Sequence, residues 1–166
     1  MTLSALGERN GYQHLYVEGE GKPSSNNSKF LWMDKHRFYT LTSMTSDSDQ
    51  LLFTRIGASD PDFNLRRDAA LMIRRKEAKD TIFVSVVEPH GSYSPVSEFA
   101  VNSNSNISEL KVLYDDQYYT AVSIEDLQRS TSILILSNAN PSADKEHEIE
   151  IEGTVYNWRG PYYYID

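Results

Sequence analysis

The sequence contains no cysteine, which excludes disulfide frameworks, thiolate metal sites and thiol nucleophiles together. It also lacks any run of about 18 consecutive apolar residues, the length that a membrane-spanning helix needs. The first residues, MTLSALGERNGYQ, have neither the basic region nor the apolar core of a signal peptide. We therefore expect no membrane insertion and no export signal within these 166 residues.

Motifs that carry catalysis or cofactors are missing as well. The chain has no Gly-rich phosphate loop, no Gly-x-Ser-x-Gly elbow and no paired-carboxylate motif. The four histidines, His14, His36, His90 and His147, stand at no spacing typical of metal ligands. We therefore expect no metal and no other cofactor in this chain.

Acidic residues are concentrated near the end of the chain. The net charge is −8, and residues 109–166 hold 4 basic side chains against 11 acidic ones. Because phosphate binding needs a net basic face, nucleic acid is not an expected partner.

An alternation of polar and apolar residues with period two runs through most of the chain. It predicts an all-β fold, an antiparallel two-layer β-sandwich of roughly ten short strands with little helix. The runs 82–87 and 133–136 are apolar on both faces, as in central strands covered on each side. With 39% hydrophobic residues, one sizeable core is expected, so residues 1–166 are predicted to form a single domain.

Local signals refine this picture. Asp115–Gln117 is a polar break typical of a hairpin, and the segment 147–155 alternates as one half-buried strand. Only Ser123–Arg129 is compatible with a helical turn or two. The other strands are expected at 12–17, 29–33, 36–45, 50–56, 70–75, 110–114 and 118–124.

The segment Glu88-Pro89-His90-Gly91 is a candidate site at the predicted end of a strand. A carboxylate and an imidazole two residues apart lie on one side of an extended chain, and Pro89 with Gly91 would turn the backbone there. His90 could then take part in acid–base work or bind a sugar carboxylate. The alternative is a turn in which His90 caps neighbouring carbonyl groups.

A basic cluster, Arg66-Arg67 with Arg74-Arg75-Lys76, would suit a uronate or sulfate through the forked guanidinium group. The alternative is a set of surface ion pairs. The acidic partners expected in that case are Asp60, Asp62, Asp68 and Glu77.

Two further patterns have a plain structural interpretation. The eleven tyrosines could form sugar-binding platforms, but adjacent tyrosines in a strand point to opposite faces, which favours strand formation. The alternating Glu148, Glu150 and Glu152 could attract calcium, but three carboxylates in line do not surround an ion. A solvated strand face explains them more simply.

Five blocks stand out when they are taken together and in order: NGYQHL (10–15), RFYTL (37–41), LFTRIG (52–57), DPDFNLR (60–66) and FVSVVEPHG (83–91). As a set they resemble the C-terminal part of oligoalginate lyases, which are relatives of heparinase II/III. The resemblance runs from about residue 6 to about residue 125.

The resemblance implies a longer parent enzyme with an N-terminal helical toroid that degrades alginate oligosaccharides by β-elimination. In that reaction a base removes the C5 proton of the uronate and an acid protonates the leaving O4. The family's catalytic residues and metal site lie outside the matching blocks, so none is carried over and this chain alone is expected to be inactive. The resemblance also implies a periplasmic or secreted parent, whose signal would lie upstream.

The resulting interpretation is an accessory, structural domain of a polysaccharide lyase that supports the sheet facing the toroid. Residues for substrate or interdomain contact are predicted to be His14, Arg66, Arg67, Glu88 and His90. One alternative is a stand-alone carbohydrate-binding module for an acidic polysaccharide, which would bind alginate without a parent enzyme. Another is a module for oligomer contacts, which would self-associate.

Overall fold

The computed structural model describes residues 4–57 and 65–166, with side chains from residue 68 onward in the second range. This part of the chain contains fourteen strands and one short 3₁₀ turn, Tyr12–His14. The strands are β1 (Ser4–Ala5), β2 (Leu15–Gly21), β3 (Asn27–Asp34), β4 (Arg37–Met44), β5 (Asp49–Gly57), β6 (Leu65–Arg75), β7 (Ser85–Ser94), β8 (Phe99–Val101), β9 (Ile107–Asp115), β10 (Tyr119–Asp126), β11 (Thr131–Ser137), β12 (Glu146–Ile151), β13 (Thr154–Arg159) and β14 (Tyr162–Ile165).

All strand pairs in the described ranges are antiparallel, which confirms the predicted all-β class of short strands. No helix within those ranges approaches the length and apolar character that a membrane crossing requires. The chain divides into two compact units, residues 1–26 with 45–82 and residues 27–44 with 83–166. That residues 1–166 act as one domain stays a prediction.

The first unit is built on one sheet of strand order β1-β2-β5-β6. On β5, Asp49, Leu52 and Thr54 are almost completely buried. Asp49 is a carboxylate at a buried position, and such groups require a partner. That partner is Arg75 at the end of β6, whose guanidinium faces Asp49 across the two strands.

The second unit contains the sheets β3-β4-β7-β8 and β14-β11-β10-β9 and the hairpin β12-β13. Its apolar core lies where the hairpin packs on the β9–β14 sheet, so this unit has the layering expected of a sandwich. The indole of Trp158 stacks on His147 with 4.9 Å between ring centroids and donates from Nε1 to the Gly160 carbonyl. The core members are Ala121, Ile135, Ile149, Ile151 and Trp158.

Three local predictions were wrong. The segment 147–155 is not one strand, because Glu152 (φ 50°) and Gly153 (φ 83°) form a two-residue hairpin turn and leave Val155 exposed on β13. Ser123–Arg129 contains no helix, since β10 continues to Asp126 and a single hydrogen-bonded turn from Asp126 to Arg129 follows it. The run 82–87 was predicted as a central strand covered on each side, but β7 begins at Ser85 and ends at Ser94, and Phe83 and Val87 are exposed.

Candidate functional site

Glu88-Pro89-His90-Gly91 lies in the middle of β7 and does not end it. The strand tolerates Pro89 because β8 pairs only with residues 92–94, so one side of β7 has no described strand partner at Pro89. Gly91 (φ 46°) sits at an irregularity where Arg37 pairs with Ser92 and Phe38 pairs with His90. Gly91 is therefore the extra residue of a β-bulge.

Only glycine fits at this bulge. A Cβ atom added to Gly91 would lie 2.1 Å from the carbonyl oxygen of Asn102 and 2.2 Å from that of Val101. Both obstacles are backbone atoms, which cannot swing aside as a flexible side chain can. The close approach holds β7 against the segment that follows β8.

His90 uses both ring nitrogens within the chain. Nδ1 lies 2.9 Å from the carbonyl oxygen of Asn102, and Nε2 lies 2.8 Å from Oγ1 of Thr40. Because a carbonyl only accepts, Nδ1 carries the proton and Nε2 accepts from the threonine hydroxyl. The ring also stacks on Phe38, with 6.1 Å between centroids. The imidazole thus ties β4 and β7 to the segment after β8.

Glu88 holds the same segment at a second point. Its carboxylate accepts from the backbone N–H of Asn106, at 3.0 Å to Oε1 and 3.1 Å to Oε2. Glu88 and His90 lie on one face of β7, as the two-residue period requires. The predicted pairing of these two side chains on one side of the strand is therefore confirmed, with the connection 102–106 between β8 and β9 as their common partner.

Between these contacts lies an open cleft of about 420 Å³, here called the amide-rich cleft. Carboxamide groups and one carboxylate dominate it, and such groups hydrogen-bond to hydroxyl-rich ligands. Its lining residues are Glu88, His90, Gly91, Asn102, Asn104 and Asn106.

No protein-family model matches the chain. Two curated proteins align with it over nearly its whole length: an alginate lyase of Stenotrophomonas maltophilia, 38% identical over 162 residues or 97% of this chain, and an exo-oligoalginate lyase of Saccharophagus degradans, 30% identical over 96% of this chain. This chain is homologous to a segment of alginate lyases. The chain spans only about a fifth of its relatives' length, 21% and 22% respectively.

The other predicted contact residues of this chain belong to the first unit. His14 ends the 3₁₀ turn and is half-buried, with Nε2 3.2 Å from the amide nitrogen of Gln13. Arg66 and Arg67 lie on β6, but their side chains are outside the described residues. The predicted role of all five residues in substrate or interdomain contact stays a prediction.

The C-terminal half of the basic cluster is engaged in the first unit. Arg75 binds Asp49 with two hydrogen bonds, whereas Arg74 donates from Nε to the side-chain oxygen of Gln50 at 3.1 Å. The different partners agree with the alternation of a strand, in which adjacent side chains such as Arg74 and Arg75 point to opposite faces. Asp49, the ion-pair partner of Arg75, was not among the acidic residues predicted as partners of the basic cluster. Of those residues, Asp60 and Asp62 lie outside the described residues.

The asparagines of the amide-rich cleft were not predicted from the sequence. Asn102, Asn104 and Asn106 alternate with serine, a pattern that reads only as a polar connection unless its neighbours in space are known. No group of three or more His, Asp or Glu side chains in the described ranges is arranged to hold a metal ion.

Proposed function

We propose that this chain is the C-terminal accessory domain of a larger lyase that degrades alginate oligosaccharides by β-elimination. One observation carries the proposal: the chain aligns almost throughout with two alginate-degrading enzymes yet spans about a fifth of their length. Most of the parent enzyme would then lie outside these 166 residues. The base that removes the C5 proton and the acid that protonates O4 would belong to that remainder.

The geometry around His90 supports an accessory role. A general base needs a ring nitrogen that reaches the substrate proton, and both nitrogens of His90 are held by Thr40 and Asn102. The carboxylate of Glu88 is likewise held by the Asn106 amide. These contacts favour holding a connection in place over moving a proton.

Several features of the parent belong to the same proposal. Its N-terminal part would be a helical toroid of the heparinase II/III type, and this domain would support the sheet that faces it. The parent would be periplasmic or secreted, where alginate is encountered. His14, Arg66, Arg67, Glu88 and His90 are the residues proposed to contact substrate or the rest of the parent.

A lyase assay on two proteins tests the proposal. The native polypeptide that carries this sequence, purified from its source, is expected to convert alginate oligosaccharides to products with an unsaturated, ultraviolet-absorbing end. The 166-residue chain alone is expected to give no product. Lyase activity of the isolated chain would place the catalytic residues here, and an inactive native polypeptide would remove the assignment to alginate lyases.

A further inference from the structure

A second cleft, of about 650 Å³, opens beside the hairpin that joins β3 and β4. It is here called the basic cleft, and it is lined by the turn residues 34–37, by Tyr39 and by residues of β7 and the segment after β8. Lys35 (φ 55°) occupies the left-handed position of the two-residue turn. Gly91 and Asn102 border both this cleft and the amide-rich cleft.

Positive charge prevails in the basic cleft. Lys35 and Arg37 are exposed, and neither makes an ion pair with another residue of the described ranges. Asp34 is the single carboxylate in the lining, and His36 adds a group that can become cationic. Asp34 stands opposite Arg37 in the register of β3 and β4, so the two cations leave one net positive charge in the lining, a local attraction for an anion in a chain of net charge −8.

An aromatic pair adjoins the charges. Trp32 on β3 and Tyr39 on β4 face each other across the strands and stack with 5.6 Å between centroids and 14° between ring planes. Trp32 is 43% exposed, so its indole is accessible from solvent while the stack fixes Tyr39. Rings of this kind bind the apolar faces of sugars.

We infer that the basic cleft is a binding subsite for a uronate residue of an acidic oligosaccharide. The forked guanidinium of Arg37 binds the sugar carboxylate, Lys35 adds a second positive charge, and the Tyr39–Trp32 pair supports the sugar ring. The inference rests on the proposed function only for the choice of alginate as the acidic sugar.

Binding of an alginate trisaccharide to the 166-residue chain, followed by calorimetry or by backbone NMR shifts, tests the inference. The Arg37→Ala variant is expected to bind about tenfold more weakly, because a charge-assisted hydrogen bond to the carboxylate is lost. Arg37→Lys keeps the positive charge but loses the forked guanidinium group. Its affinity for the trisaccharide is expected to lie between those of the unchanged chain and the Arg37→Ala variant. Arg129→Ala removes the same charge from the exposed turn after β10 and is expected to bind as the unchanged chain does.

Neutral and inorganic probes complete the design. Cellotriose and inorganic phosphate are both expected to bind far more weakly than the alginate trisaccharide. Cellotriose has sugar rings but no negative charge, and phosphate has negative charge but no sugar ring. Equal affinity for any of these probes, equal affinity of the Arg37→Ala variant, or no binding of the trisaccharide would overturn the inference. None of these results would affect the lyase assay on the native polypeptide, so the two proposals fail separately.

Discussion

The carboxylate of Asp49 accepts two hydrogen bonds from Arg75, from Nε to Oδ1 at 2.7 Å and from Nη2 to Oδ2 at 2.8 Å. Asp49 is only 2% exposed, and its Oδ2 also accepts from the backbone N–H of Ser46 at 2.8 Å. A buried ion pair of this kind is costly to break, because the remaining charge is left without its partner. The pair joins the first residue of β5 to the last residue of β6.

Replacing Asp49 with asparagine is therefore expected to lower the free energy of unfolding by about 3 kcal/mol at neutral pH. Asp144→Asn is the matched control, because the Asp144–Arg159 pair is largely exposed and is expected to contribute less than about 0.5 kcal/mol. Urea denaturation of both variants measures the difference. Equal free energies of unfolding of the two variants would show that the Asp49–Arg75 pair stabilises the fold no more than the exposed Asp144–Arg159 pair does.

The same pair predicts a dependence on pH. Hydrogen bonding to Arg75 lowers the pKa of the Asp49 carboxyl below its ordinary value of 3.8. A lowered pKa in the folded state gives stability that is complete above 3.8 and is lost as the pH falls through the folded-state value. The stability gap between the unchanged chain and Asp49→Asn should therefore shrink only in strong acid, and a gap that already closed near pH 6 would contradict this assignment.

Gly91→Ala is expected to lower the free energy of unfolding by about 3 kcal/mol or more, from overpacking and from a strained backbone. The control is Gly153→Ala, at a positive φ of 83° but with no atom within 4 Å of the added Cβ. That variant carries only the conformational cost, about 1 kcal/mol. Thermal or urea unfolding distinguishes the two, and similar losses would mean that the bulge can relax.

His90 is predicted to be the Nδ1–H tautomer when neutral, because the Asn102 carbonyl can only accept. Long-range ¹H–¹⁵N correlation spectra report the protonated nitrogen directly. Thr40→Val removes the hydroxyl at Nε2 and is expected to leave the tautomer unchanged. A proton found on Nε2 in the unchanged chain would invalidate the bonding pattern drawn for this ring.

Glu88→Ala is expected to loosen the connection between β8 and β9. Loss of the carboxylate should speed hydrogen exchange of the Asn106 amide by about tenfold, the effect of one charge-assisted hydrogen bond. Glu109→Ala removes an exposed carboxylate from β9 and is the matched control. If exchange at Asn106 is the same in both variants, Glu88 does not hold this segment.

Much of the strand pattern could be predicted because burial imposes a period on the sequence. The apolar run at 133–136 lies on β11 between β10 and β14, as predicted for a central strand. The predicted cover on both faces was wrong, because Leu136 is 38% exposed. The hairpin at Asp115–Gln117 was also predicted. There the side chain of Asp116 accepts from the backbone N–H groups of Tyr118 and Tyr119, both at 2.7 Å, so a local polar signal determined a local turn.

Features that depend on single backbone conformations could not be predicted in this way. The turn at Glu152-Gly153 interrupts an alternation that continues without a break in the sequence. The sequence predicts that the strand ends at Gly91, because a glycine after a strand-like run usually marks a turn. Its position in a bulge and its close approach to Asn102 instead depend on residues that are distant in sequence. The two clefts depend on the same tertiary approach, so neither the asparagines nor Arg37 stood out in the sequence.

The intact mass of the native polypeptide tests the accessory-domain account most directly. Affinity capture of that polypeptide from its source, followed by mass spectrometry, gives the mass without any assumption about activity. The account predicts a species several-fold heavier than the 19.0 kDa of this chain, with this sequence at its C-terminal end. A native species of 19.0 kDa would contradict it, and a stand-alone binding module would then be the better description.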